Sequence, residues 1–403
     1  MSHIQLNPAR LCWFRACQMS LFPIAIITVF WKIEIGLNMA QIMLLQAVFG
    51  LALAAFEFPS GYIADRIGYR VALIMASGLM VAGWSIYLFA SGFWWVLAAE
   101  LTLGVAHSLI SGTDSAMMYE SLANVGRAEA FEQWTGRTRF WGQSAEATTA
   151  LLAGVLFAWW SRLPFVLECL IWLVNLGIAL TLTEPSRQRP VSTPHWQQVR
   201  DIYRYITQRQ PALLALLAFG IPLGLGSFIP VWLIPLHALD GGAPTSWLGP
   251  IWAVANYSVA IAALSSYRVR MRFGQLPTLF LCVVMMAGGY VGLGLSHHLF
   301  GFVFYYVLTT MRGLNNPILQ AAEQRLIPSD NRAGLLSVHS LISRITFAVV
   351  GPLVGLAVDR WGQHAVFLGI GACLSVAAIA GWEWLRRALT DPKPVPDRLS
   401  DSS

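Results

Sequence analysis

The feature that most limits what this chain can fold into is a rhythm of apolar runs, each about twenty residues long, broken by short loops that carry most of the charge. A run of that length is what an α-helix needs to cross a bilayer core of roughly 30 Å. Twelve such runs can be drawn, near residues 11–33, 38–63, 70–90, 95–119, 140–160, 165–183, 211–237, 247–266, 276–295, 300–323, 334–357 and 365–385. Backbone crossing lipid must satisfy its own hydrogen bonds, so these runs are read as helices. Only 11% of the residues are charged and 56% are hydrophobic, against about a quarter charged in soluble domains. That balance excludes a soluble enzyme, a disordered chain and a nucleic-acid module. The net charge of +6 is spread over the short loops and does not form one basic face.

With both termini cytoplasmic, the outer loops keep only Lys32, Arg162 and Arg360, and nearly every other loop Arg or Lys falls inside. This satisfies the positive-inside rule, and one helix more or fewer would scramble it. The expected setting is a bacterial inner (plasma) membrane. Residues 1–183 are expected to form one six-helix bundle, 184–210 a cytoplasmic linker, 211–388 a second bundle and 389–403 a disordered tail. Within the linker, Trp196, Val199, Ile202, Tyr203 and Ile206 recur at helical spacing, which predicts an amphipathic helix on the inner leaflet. Residues 120–139 read as a polar inner loop, and Arg268, Arg270 and Arg272 lie in another. The five cysteines sit in apolar segments without a C-x-x-C pair and read as inert thiols, so neither a metal nor a cofactor is expected. Residues 11–30 lack a small-residue cleavage site after them and are read as the first helix, not a signal peptide.

The second and third runs meet at Gly61-Tyr-Ile-Ala-Asp65-Arg66-Ile-Gly68-Tyr-Arg70. Gly61 allows close helix approach, and Gly68 permits a tight reversal. The pattern G-x-x-x-D-R-x-G-x-R resembles the loop 2–3 signature of the major facilitator superfamily. Together with the topology, the resemblance implies an all-α integral membrane protein with twelve transmembrane helices in two pseudo-symmetric six-helix bundles. It implies a monomeric secondary transporter of a small-molecule substrate, working by alternating access. It also implies that Asp65, Arg66 and Arg70 belong to an inner gate. By inference Glu57, Arg137 and Arg139 join that charge network, with Asp114 and Glu120. A second G-x-x-x-D-R-x-G, from Gly355 through Asp359 and Arg360 to Gly362, falls outside between the last two helices and is assigned a structural role.

Ionisable groups within a span are costly and are read first as functional. In the fourth run Glu100, His107 and Asp114 are spaced seven apart, which on one continuous helix makes a polar stripe about 21 Å long. Either the stripe walls a cavity with proton-carrying groups, or its two carboxylates lie near the interfaces and His107 merely bonds a neighbouring carbonyl. Glu146 in the fifth run is a further deep carboxylate, so Glu146, His107, Asp114 and Glu100 are the candidate proton carriers. In the tenth run, Arg312-Gly-Leu-Asn315-Asn316-Pro317 reads as a polar break, able to hold an anionic substrate group when it lines a cavity. The seventh run holds Pro222, Pro230 and Pro235 among glycines and reads as a bending helix.

Departures from the family's drug:proton antiporters are specific. Their R-x-x-x-G in helix 4 is Glu100-Leu-Thr-Leu-Gly104 here, and their helix 5 Gly-Pro motif is absent. The leading expectation is proton-coupled efflux of a small organic compound. The alternative is proton-coupled uptake of an organic anion. A lipid-modifying membrane enzyme is a remote third, because no H-E-x-x-H, nucleophile elbow or P-loop is present.

Overall fold

The computed structural model describes residues 3–186, 211–326 and 332–390, without the side chains of His3, Phe58, Tyr62, Asp65, Pro211 and residues 324–326 and 332–339. The predicted linker helix and the terminal tail lie outside these residues. Every regular element among the described residues is helical. The first run gives α1 (Asn7–Gln18) and a short helical segment, Ile27–Val29 continuing into Phe30–Glu34. Then come α2 (Met39–Ile67), α3 (Tyr69–Phe89), α4 (Phe93–Ile110), α5 (Thr113–Ala123), α6 (Phe131–Trp159) and α7 (Leu163–Thr181). The remainder gives α8 (Pro211–Asp240), α9 (Leu248–Phe273), α10 (Gln275–Leu295), α11 (Val303–Leu326), α12 (Arg332–Trp361) and α13 (Gln363–Thr390).

Nine stretches among the described residues are long and apolar enough to cross a membrane, with α4 and α5 counted together. The other three of the twelve expected runs are the first, which is broken, and α6 and α11, which carry more polar residues. Contacts divide the chain into two compact units. The first contains the described residues of Met1–Pro190 with Trp232–Val254 and Arg344–Gly362. The second contains those of Val191–Val231, Ala255–Ser343 and Gln363–Ser403.

Several sequence expectations are corrected. The first span is interrupted over Met19–Ile26, around Pro23. The Glu168 carboxylate of α7 stabilises this interruption by accepting from the Phe22 amide at 3.0 Å and the Trp172 indole at 3.1 Å. The fourth span also breaks, because Gly112 takes a left-handed φ of +80°, which only glycine adopts without strain. The even Glu100–His107–Asp114 stripe therefore does not exist: Asp114 belongs to a new helix. The expected loop 120–139 is largely helical, since α5 reaches Ala123 and α6 starts at Phe131. Arg268, Arg270 and Arg272 end α9 and do not lie in a loop. The expected break at Arg312–Pro317 is absent, because α11 runs on through Pro317. The seventh run is one helix, α8, as expected, with three prolines in its interior.

In the first unit an aromatic core joins Phe30, Tyr87 and Phe165, with centroids 4.4 Å apart for Phe30–Phe165 and 5.0 Å for Tyr87–Phe165. Such pairs contribute about 0.5–1.5 kcal/mol beyond the area they bury. Two helix starts are secured by side chains. An Asn38–Gln41 capping box opens α2. At α3, Gly68 turns with φ +113°, and Glu184 accepts from the Tyr69 and Arg70 amides at 2.9 and 2.7 Å. At the far end of α3, Arg162 donates to the carbonyls of Leu88 and Ala90. It thereby satisfies C-terminal groups that the helix leaves open. In the second unit, the backbone at Gly371 in α13 lies so close to Tyr290 of α10 that a Cβ would meet the tyrosine side chain. Trp382 donates to the Leu276 carbonyl at 3.0 Å.

Candidate functional site

A cavity of about 420 Å³ opens within the first unit at the break between α4 and α5. Three helices build its wall by helical spacing. On α1, Arg15 and Gln18 are three residues apart, and Arg15 Nη1 donates to Gln18 Oε1 at 2.9 Å. On α2, Phe49 and Leu53 are four apart and share a face. On α4, His107 and Ile110 are three apart and also share a face, and Phe49 meets the His107 ring edge-on at 5.8 Å. Ser111, Gly112 and Asp114 complete the wall.

Asp114 sits in the first turn of α5 and Oδ1 accepts from the Ser115 amide at 2.7 Å. A helix N-terminus favours such a carboxylate. Among the described residues Arg15 bonds to Gln18 alone, although a guanidinium has five N–H donors. Its charge is felt at both His107 and Asp114. The His107 imidazole makes no hydrogen bond among the described residues, so the expected alternative of a neighbouring carbonyl is not what the structure shows. The cavity thus offers a cation with free donors, two groups able to carry a proton and an apolar wall.

The other expected residues lie elsewhere. Glu100 is buried away from the cavity and accepts from Tyr87 Oη at 2.5 Å and Gln46 Nε2 at 3.1 Å. Glu146 is half-buried on α6, with Gln143 Nε2 at 3.4 Å. Arg312, Asn315 and Asn316 belong to the second unit. There Arg312 is half-buried, Asn316 is exposed, and Asn315 is buried with Nδ2 3.3 Å from Met311 Sδ. Gly61 and Arg66 are exposed, while the Asp65 side chain is not among those described. Arg70 donates to the Leu180 carbonyl at 2.9 Å, which ties the Gly61–Arg70 turn to the end of α7. Glu57 is exposed and its charge acts on Arg344, whose Nη1 is 3.4 Å from the Gly50 carbonyl. Arg137 and Arg139 are exposed on α6, with the Arg137 guanidinium 5.0 Å over the Trp134 ring.

The sequence reading missed Arg15 and Glu168 as important residues. Both carried a usable signal, an ionisable group inside an apolar run. Phe49 and Gln18 carried none.

The family model of the Major Facilitator Superfamily matches residues 11–349. An uncharacterized MFS-type transporter, YxaM of Bacillus subtilis (strain 168), is 22% identical over 377 residues, covering 88% of this chain and 89% of that one. The crystal structure of a point mutant of the nucleoside transporter NupG superposes with a TM-score of 0.80 at 14% identity, over 94% of this chain and 99% of that one. A bacterial homolog of the human lysosomal transporter Spinster, inward-facing and unoccupied, gives 0.70 at 16% identity, over 98% and 100%.

Proposed function

The chain belongs to the Major Facilitator Superfamily, and on that premise we propose a proton-coupled secondary transporter that binds a small organic compound at the Arg15–His107–Asp114 cavity. Membership makes it an integral membrane transporter, not an enzyme. The observation that carries the finer reading is the cavity at the α4–α5 break, where unwound backbone and ionisable side chains meet inside a membrane-spanning bundle. Irregular backbone at such depth is tolerated where it lines a cavity, and discontinuous helices build the substrate and ion sites of many transporters.

Asp114 and His107 are the proposed proton carriers, since they face the cavity and Glu100 and Glu146 do not line it. Phe49, Leu53 and Ile110 suit an amphipathic compound. Export in exchange for protons, across a bacterial inner membrane with both termini cytoplasmic, is the proposed direction. Residues 1–183 and 211–388 are proposed as the rocking halves, with the Gly61–Arg70 turn, Glu57, Arg137 and Arg139 at the inner gate.

The test uses proteoliposomes holding a pH-sensitive dye and a panel of amphiphilic anions, cations and neutral compounds. Compound-dependent proton flux is expected, and Asp114→Asn or His107→Ala should reduce it at least tenfold while Glu100→Gln leaves its coupling ratio intact. Compound movement without proton flux would end the coupling proposal.

A further inference from the structure

The geometry points to Arg15 as the anchor for an oxyanion, carboxylate or phosphate, on the transported compound, so that the cavity selects organic anions. This deepens the transporter reading and rests on it for the claim that the cavity holds substrate.

Three observations on different elements converge. Arg15 lies half-buried on α1 and lines the cavity. A cation in such a place is ordinarily paired with an acid or a backbone carbonyl. Here, among the described residues, its one hydrogen-bond partner is the neutral Gln18, and no carboxylate comes within ion-pair distance. Most of its donor capacity is therefore unused, in a geometry that matches two oxygens of one anion.

The second observation is the state of the cavity's acid. Asp114 is compensated within its own helix, by the Ser115 amide and by its place in the first turn of α5. An organic cation would have to compete for a carboxylate that already has partners, under the repulsion of Arg15. An anion meets an unspent cation. The third observation is the break itself. Ser111 and Gly112 line the cavity just before the N-terminus of the eleven-residue α5, and a helix N-terminus reinforces a positive potential there. Phe49 and Leu53 then accept the apolar body of the compound. A cavity of about 420 Å³ falls within the range of small-molecule sites.

The experiment uses one apolar body with four head groups: naphthalene-2-carboxylate, 2-naphthyl phosphate, 2-naphthamide and 2-naphthylmethylammonium. Binding to the purified full-length protein is measured by calorimetry, and movement is measured separately in proteoliposomes. The expected result is that at least one oxyanion binds ten times or more tighter than the amide, and that the ammonium binds weakest. Which oxyanion binds tighter distinguishes a carboxylate site from a phosphate site.

Arg15→Gln should bring oxyanion affinity down to that of the amide, a loss of about ten- to a hundredfold, with a thermal midpoint matching the parent protein as the check that the variant still folds. Arg15→Lys should restore part of the loss. Preference for the ammonium, an oxyanion-to-amide ratio that survives Arg15→Gln, or no binding by either oxyanion would each overturn the assignment. Arg15-dependent binding without movement in proteoliposomes would leave the anion site standing and overturn the transporter reading of the cavity.

Discussion

Asp359→Ala is expected to weaken a latch at the face opposite the Gly61–Arg70 turn and to raise the population of a form in which α2 and α12 have parted there. Asp359 is the acidic residue of the second G-x-x-x-D-R-x-G stretch, in the last turn of α12. Its two oxygens accept from the Met39 and Ala40 amides at 2.9 and 2.8 Å, which are the first two donors of α2. Those amides have no partner within their own helix. One turn back, the Gly355 backbone lies so close to Met39 and Ala40 that any Cβ would collide with them. The motif therefore presses α12 onto the start of α2 and places the carboxylate on the positive end of the helix dipole. Lys32 adds a contact at 3.9 Å, but both partners are partly exposed and such pairs contribute little.

Two charge-assisted bonds of this kind bias a conformational equilibrium by about 1–3 kcal/mol, roughly 5- to 150-fold. Pulsed EPR distances between spin labels at Ile33 and Trp361, in a cysteine-free background, should show a longer component growing in Asp359→Ala. Hydrogen exchange at the Met39 and Ala40 amides should quicken in the same variant. Quickened exchange with distances that match the parent protein would show that Asp359 caps α2 without holding the two helices together, and no change in either would refute the latch.

Glu168→Ala should produce the largest loss of stability. The side chain is fully buried in α7, and each oxygen has its own donor, the Phe22 amide and the Trp172 indole. Removing it leaves two buried donors unpaired and a void, a loss of roughly 3–5 kcal/mol. For a unit of this size that corresponds to a fall of about 6–20 °C in the thermal midpoint. Glu168→Gln should fall between, since the amide keeps the volume and one acceptor but turns a donor toward a donor. The Phe22 amide lies in the interruption of the first span, so the variant should also loosen Arg15 and Gln18 at the end of α1. Thiol-reactive dye unfolding of the purified protein reads the midpoint, and an Ala variant within 2 °C of the parent would refute this role.

Much of the fold was legible because the bilayer imposes a coarse, local rule. Apolar length marks a span, and the placement of Arg and Lys marks its loops. The ends of α3, α7 and α10 fall within a few residues of their expected limits for that reason. The two helix interruptions were not legible. Ser111-Gly112 resembles other Ser-Gly pairs in the chain, and Pro23 has counterparts in α8 and α11 that leave their helices continuous. Whether a helix breaks depends on what waits for the freed backbone groups, and at Phe22 that partner is Glu168, 146 residues away.

The candidate site divides in the same way. His107 and Asp114 could be nominated from the sequence because charge inside an apolar run is costly wherever it occurs. Their separation from Glu100 could not, because it follows from a reversal in φ at one glycine and from Tyr87 and Gln46 claiming the Glu100 carboxylate. What the sequence determined by itself was the helical membrane class and the family, since both rest on hydropathy, basic loops and a short contiguous motif. What only the tertiary structure decided was which charges meet. Arg15 reaches the field of Asp114 across a cavity, and Asp359 finds α2 across 320 residues of chain. Electrostatics acts through space, whereas hydropathy acts along the chain.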